Sequence, residues 1–257
     1  MTASLRQANI EKLQEQVYDV LIVGGGINGA VAAAALAGRG VRVALIERED
    51  YASGVSSNSS NLAWGGIKYM ESGEFLLVNK LCKSRNELMR AYPSTVKEIR
   101  FFTTIQKGFR VWSFFVVLGA LLYWVIGRFN TKPPRYHTSA GMEQREPVIN
   151  TTNAAGGLEY SDCYLYDNDA RFVFNFIRTA LNYGCIAANY VTSVGNRRVG
   201  ELWCTTARDE VSGKEFALRS RVLVNACGPY VEEHNRISGE RTEHHHLISK
   251  GLHLIVY

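Results

Sequence analysis

An α/β fold built around a dinucleotide-binding unit follows from three observations on the sequence. A short run of β-type apolar residues, Val20-Leu21-Ile22-Val23, stops abruptly at Gly24-Gly25-Gly26-Ile27-Asn28-Gly29. An alanine-rich stretch suited to a helix, residues 30–37, follows and ends at Gly38-Arg39-Gly40. A second apolar run, residues 41–46, then ends on Glu47. Strand, glycine turn, helix, strand and acid within about thirty residues make a complete β-α-β unit, the core of a Rossmann-like domain.

The composition bounds the rest. The 257 residues allow one large domain or two modest ones, because domains commonly run to about 100–200 residues. With 46% hydrophobic and 21% charged residues the chain can bury a core, which excludes a disordered or low-complexity polymer. The net charge of +5 is spread along the chain. A nucleic-acid binder concentrates such charge in a stripe or tail, so no nucleic-acid partner is expected. Attraction to an anionic membrane surface stays open. Cys82, Cys163, Cys185, Cys204 and Cys227 are odd in number and lack C-x-x-C spacing. They read as reduced, mostly buried thiols of a cytoplasmic protein rather than a disulfide framework or zinc site.

The remaining elements are taken in order. Residues 1–16 are polar and lack the apolar core of a secretory signal. Leu5, Ile10 and Leu13 suit a short amphipathic leader helix, assigned to 1–17. A polar, serine-rich loop at 53–61 leads into Leu62-Ala63-Trp64-Gly65-Gly66-Ile67-Lys68-Tyr69. A helix is predicted over Phe75–Ala91, with Leu77, Leu81, Cys82 and Leu88 on its apolar side and Pro93 ending it. Residues 111–127 carry no charge and lie between Arg110 and Arg128. Such a stretch sits at the short edge of a bilayer span. A buried helix and a membrane-surface helix stand as equal readings, ahead of a true span. The flanking Arg110, Arg128, Lys132 and Arg135 suit lipid phosphates or an ordinary solvated face equally. Beyond Pro133-Pro134 a helix is predicted over 169–184, its start served by Asp167, Asp169 and Arg171, with an acid as cap. A strand near 186–191, paired strands at 201–208 and 214–219, and a buried strand at 221–226 complete the reading.

Within the glycine motif each residue type has a physical task. Gly24 permits the tight turn, Gly26 lets backbone approach a pyrophosphate at the helix N-terminus, and Gly29 lets helix and strand pack closely. Glu47 suits the hydroxyls of an adenosine ribose. The motif does not separate NAD from FAD. His244-His245-His246 with His253 is a weak metal signal, because three adjacent histidines cannot all face one ion. They read as a solvated run, and no metal is expected.

Longer stretches are more specific. Tyr18 to Ala30, Ser56 to Tyr69, Tyr160-Ser161-Asp162-Cys163, Asn168-Asp169-Ala170-Arg171, Val222 to Pro229 and the closing Lys250 to Val256 stand in one order along the chain. Together they resemble the FAD-dependent glycerol-3-phosphate dehydrogenases of the D-amino-acid-oxidase-like flavoprotein superfamily.

That resemblance implies a Rossmann-like FAD-binding domain with an interleaved, truncated substrate (α+β) domain. It implies FAD held by Gly24, Gly26, Ile27, Asn28, Gly29, Glu47, Arg48, Ser56, Ser57, Ser60, Leu62, Val191 near the adenine, and Gly228. It also implies Lys68 on a substrate phosphate with Tyr69 beside it, and it assigns no catalytic residue. In this family the flavin accepts hydride from C2 of sn-glycerol 3-phosphate and electrons pass to quinone. A peripheral position at the inner face of the cell membrane goes with that chemistry, and a homodimer is compatible with it. The corresponding boundaries are 18–90 and 151–235 for the FAD-binding domain. A cap or membrane-associated insertion takes 91–150, and the substrate domain starts at 236.

The family usually has Arg where Lys68 stands and His where Trp64 stands. Its members are about twice as long, so the chain reads as an N-terminal half. Two alternatives remain beside the main reading: another flavin oxidase or dehydrogenase of the superfamily acting on a different hydroxy or amino acid, and a non-catalytic FAD-binding fragment.

Overall fold

The computed structural model describes residues 5–109, 112–243 and 245. In chain order they form α1 (Leu5–Glu15), β1 (Val17–Val23), α2 (Ile27–Ala37), β2 (Val43–Ile46), β3 (Leu62–Ala63), α3 (Phe75–Ala91), β4 (Val96–Gln106) and α4 (Ser113–Ile126). They continue with β5 (Arg135–His137), α5 (Ser139–Arg145), β6 (Ala154–Leu165), α6 (Asp169–Asn182), β7 (Ile186–Ala188) and β8 (Val191–Val199). The last are β9 (Leu202–Asp209), β10 (Glu215–Asn225) and α7 (Val231–Ile237).

Two compact units result. The first joins the residues up to Ser60 to those from Asn168 onward, and the second is Asn61–Asp167. The boundaries expected from the sequence, 90/91 and 150/151, differ from these. The difference concerns 61–90 and 151–167, where β3 and β6 pair with each other and β6 pairs with β4, so both segments belong to the sheet of the second unit.

The first unit is a six-stranded sheet in the order β7-β2-β1-β10-β9-β8. β1 runs parallel to both neighbours, and β10, β9 and β8 form an antiparallel extension. Successive side chains of a strand face opposite sides. Val20, Ile22, Val43 and Leu45 therefore pack with Ala30, Ala33 and Ala37 of α2 and Val173, Ile177 and Ala180 of α6. Tyr18, Leu21, Val23, Ala44 and Ile46 join Ile10 and Leu13 of α1 on the other side. The leader helix is thus part of the first unit's core. Asn9 Nδ2 donates to Ala187 O of β7 at 2.8 Å, Arg6 Nε donates to Asn189 O at 2.9 Å, and Arg6 pairs with Asp209.

The 221–226 strand of the sequence reading is the end of a single β10 that begins at Glu215. It is half-buried rather than buried: Val222 is exposed, and Arg221 reaches Asp19 at 3.9 Å. The cap of α6 is also corrected. Asn168, not an acid, accepts from Arg171 N at 2.7 Å, while buried Asp169 accepts from Ser59 N at 3.1 Å.

The second unit is an antiparallel sheet, β3-β6-β4, with β5 also on β6. Its interior holds polar groups. Burial alone would raise the Glu159 carboxyl, but hydrogen bonds from Arg100 Nε (2.6 Å) and His137 Nε2 (2.7 Å) outweigh it and hold the group at about 2. Arg85 and Asp162 are both fully buried and meet at 3.1 Å, joined by the Tyr123 hydroxyl, which donates to Asp162 at 2.9 Å. Tyr123 comes from α4, the uncharged stretch. That helix turns Ala120 and Tyr123 inward and leaves Phe114, Phe115, Leu118, Leu122 and Val125 exposed, so the buried-helix reading fails. Arg128, Lys132 and Arg135 beyond it are exposed. Among the described residues no helix is long and apolar enough to cross a membrane, and Arg110 and Val111 lie outside them.

Candidate functional site

In an open α/β sheet the ligand crevice forms beyond the carboxyl ends of the strands, where the chain leaves one strand toward opposite sides. Here that place is the end of β1, flanked by β2 and β10. A cleft of about 780 Å³ opens there, lined by Val23, Gly24, Gly26, Ile27 and Asn28, by Glu47 and Arg48 after β2, and by Ala226, Cys227 and Gly228 after β10.

Local forces dictate the turn. Gly24 has φ +113°, and a Cβ there would strike Ala226 O; only glycine adopts such a conformation without strain. A Cβ on Gly29 would collide with Gly24 O, which is why the helix can start so close to the turn. Helix α2 begins at Gly26 without a side-chain cap, and its first turn holds no acid. Its positive end therefore faces the cleft with no acid of its own helix against it, a place that favours an anion. Ser56 Oγ accepts from Ile27 N at 3.0 Å in this mouth. Glu47 ties the turn together: its carboxylate accepts from Gly25 N at 2.6 Å and from Glu49 N at 2.9 Å.

Of the residues expected to hold cofactor, the structure brings together Gly24, Gly26, Ile27, Asn28, Glu47, Arg48, Ser56, Val191 and Gly228 along this one cleft. Four others do not line it. Gly29 lies beneath the turn as a packing residue. Ser57 directs its hydroxyl to Ser53 O at 3.1 Å. Ser60 is an exposed loop residue, and Leu62 is in β3 of the second unit.

Lys68 and Tyr69 are also in the second unit, exposed in a single 3-10 turn, Ile67–Met70. The Tyr69 ring lies 5.7 Å from that of Trp64. The segment before them is clamped from inside. Gly65 N donates to both Asp162 oxygens at 3.0 and 3.2 Å, and Cys82 Sγ donates to Gly65 O at 3.6 Å. Asp162, Arg85 and Tyr123 carried no expectation beforehand; the Tyr160-Ser161-Asp162-Cys163 stretch was the available signal.

The sequence reading also missed Thr192, Ser193, Tyr230, Glu233 and His234, which line the first unit's cleft. Three of them belong to α7 or the turn before it, and a seven-residue helix has no periodicity long enough to read. Cys227 is in the cleft but is no nucleophile: burial pushes its thiol up to about 12, and Sγ donates to Val23 O at 3.4 Å. The other cysteines are free thiols, with Cys82, Cys163 and Cys185 buried. His245 faces Glu232 at 3.5 Å. His244, His246, His253 and the Lys250 to Val256 stretch lie outside the described residues.

Residues 19–256 match the family described as FAD dependent oxidoreductase. The chain belongs to that family. Glycerol-3-phosphate dehydrogenase of Mycobacterium leprae is 33% identical over 255 residues, covering 98% of this chain and 43% of the relative. D-erythritol 1-phosphate dehydrogenase of Brucella abortus is likewise 33% identical, over 95% of this chain and 48% of its own length. The chain therefore spans less than half the length of these members of the family. Among solved structures, glycerol-3-phosphate dehydrogenase from Bacillus halodurans, complexed with FAD, aligns with a TM-score of 0.70 at 22% identity, over 93% of this chain and 39% of that one. It supports the fold. The relatives named for glycerol 3-phosphate agree with the resemblance read from the motifs.

Proposed function

We propose that the cleft at the end of β1 holds FAD and that the chain is the cofactor-binding part of an enzyme oxidising sn-glycerol 3-phosphate to dihydroxyacetone phosphate. The observation that carries the reading is the N-terminus of α2 opening into the cleft beside Glu47 with no acid in its first turn, in a chain of the FAD dependent oxidoreductase family. The site fits the group. Gly26 and Ile27 offer backbone to the diphosphate at the positive helix end, Asn28 and Ser56 stand at the same mouth, and Glu47 accepts ribose hydroxyls in place of its present backbone donors. Val191 and Gly228 flank the remainder, and Arg48 adds positive charge. Bound FAD supplies the hydride acceptor for the C2–H of the substrate. Lys68 holds the substrate phosphate as a point charge, and Tyr69 stands beside it, its ring tilted against that of Trp64. Electrons leave to quinone at the inner face of the cell membrane. The exposed apolar face of α4 supports a peripheral contact there, with Arg128, Lys132 and Arg135 toward anionic headgroups.

The equal similarity to an erythritol 1-phosphate enzyme keeps a second polyol phosphate as the rival substrate. A visible spectrum of the purified chain with FAD, before and after anaerobic addition of each phosphate, decides. Bleaching by glycerol 3-phosphate alone supports the proposal, and bleaching by erythritol 1-phosphate alone transfers it to the rival. A chain that takes up no FAD overturns the cofactor reading. Lys68→Ala raises KM at least tenfold for the phosphorylated substrate with kcat less affected; an unchanged KM removes Lys68 from the pocket.

A further inference from the structure

Two side chains of the cleft face each other across its mouth. Arg48 follows the end of β2 by two residues, and Tyr230 follows the end of β10 by five, in the turn opened by Gly228 and Pro229. β2 and β10 are the two neighbours of β1. A contact between Arg48 and Tyr230 therefore bridges the carboxyl end of β1, above the glycine turn. The structure contains that contact: the Arg48 guanidinium carbon lies 3.8 Å from the centroid of the Tyr230 ring. Both residues also line the cleft.

The pair is built to move. Tyr230 is 48% exposed and Arg48 40% exposed in its side chain, so each keeps a solvent-facing side from which it can swing. Gly228, with φ +54° and open space where a Cβ would stand, supplies a left-handed residue at the base of the Tyr230 turn. The competing ion pair of Arg48 is weak, since Glu49 is 4.0 Å away and both side chains are exposed. The tyrosine ring is therefore the close partner of the guanidinium. A guanidinium is also the cation best suited to stack on a ring and to face a diphosphate.

We propose that Arg48 and Tyr230 form a clasp over the glycine turn, open while the dinucleotide enters and closed once it is bound, so that their contact sets how fast FAD leaves. The inference rests on the cofactor reading above. Release is followed as recovery of flavin fluorescence when the FAD-loaded chain is diluted, a measurement independent of turnover. Tyr230→Ala and Arg48→Gln each speed release by about two- to fivefold, the range of an exposed cation–π contact. Tyr230→Phe keeps the ring and the parent rate. The double variant is no faster than the faster single one, because both remove the same contact.

Release unchanged in Tyr230→Ala overturns the clasp. So does a loss in Tyr230→Phe equal to that in Tyr230→Ala, which assigns the effect to the hydroxyl. Multiplying effects in the double variant make the residues independent and overturn it too, as does faster association with unaltered release. A parent chain that binds no FAD fails at the preceding step and is recognised before any variant is made.

Discussion

The two units solve the problem of a polar interior in opposite ways. At the functional end of the first, β1 and β2 are apolar, and backbone amides gathered at a turn of small residues meet the side chains of Glu47 and Ser56. In the second, charges are buried outright: Arg85 with Asp162, and Glu159 under Arg100 and His137. An amide at a helix end can serve a ligand because its place is set by the chain path. A buried ion pair serves the fold instead, fixing the Gly65 segment to α3, α4 and β6 at once. Function sits on backbone in one unit and is braced by side chains in the other.

Breaking the brace gives the largest effect. Asp162→Ala leaves Arg85 buried without its carboxylate and costs about 3–5 kcal/mol. Chemical denaturation shows it as a transition shifted to lower denaturant. The double variant Arg85→Met with Asp162→Leu recovers only part of that loss, because it removes the unpaired charge but leaves Gly65 N, the Tyr123 hydroxyl and Asn86 Oδ1 without these partners. If it recovers nothing, the pair is needed for its hydrogen bonds to Gly65 rather than for mutual neutralisation.

The matching change in the first unit is Gly29→Ala. Its methyl meets Gly24 O and costs about 3 kcal/mol as an overpacked contact. It also displaces the α2 N-terminus, so titration with FAD followed by flavin fluorescence falls by at least tenfold in affinity. Asp162→Leu paired with Arg85→Met leaves that affinity unaltered if FAD contacts are confined to the first unit.

Acid reaches the second unit through Glu159. Glu159 has an ordinary value of 4.5 and is held at about 2 in the folded chain. Its ionised form therefore stabilises the fold above pH 4.5, and that contribution is lost as pH falls from 4.5 toward 2. After allowance for screening it amounts to about 2 kcal/mol. Thermal melts across this window lose the corresponding slope in Glu159→Gln. The smallest effect is Asn168→Ala, which removes the α6 cap and lowers stability by about 1 kcal/mol, read from the same melts.

The contrast also explains what could be read from the sequence. The glycine turn, the two strands around it and α3 were legible, α3 to the residue at both ends, because each rests on local rules: a forced φ, a strand length, a proline stop. β4 and β6 were not. β6 buries Glu159, Ser161 and Asp162 among Leu158, Cys163 and Leu165, so neither face carries an apolar alternation. α3 likewise buries Arg85 and Asn86 beside Val78 and Cys82, while the leucines named for its apolar side are only half-buried. The partner that makes Arg85 an interior residue is 77 positions away. No periodicity reports a charge matched over that distance. At the cleft, residues in the β-α-β unit were legible, whereas Tyr230 and His234 arrive from a distant turn and from the seven-residue α7 that follows it, too short to show a pattern.

Helix α1 has a consequence beyond the core it fills. β7 is the outermost strand on its side of the six-stranded sheet, and Asn9 and Arg6 occupy carbonyls at Ala187, Asn189 and Tyr190 on and just after it. A naked edge strand is a template on which another chain can add a strand. The first helix thus acts as a guard against self-association. A chain beginning at Val17 forms concentration-dependent aggregates rich in intermolecular sheet, and light scattering against concentration reveals them.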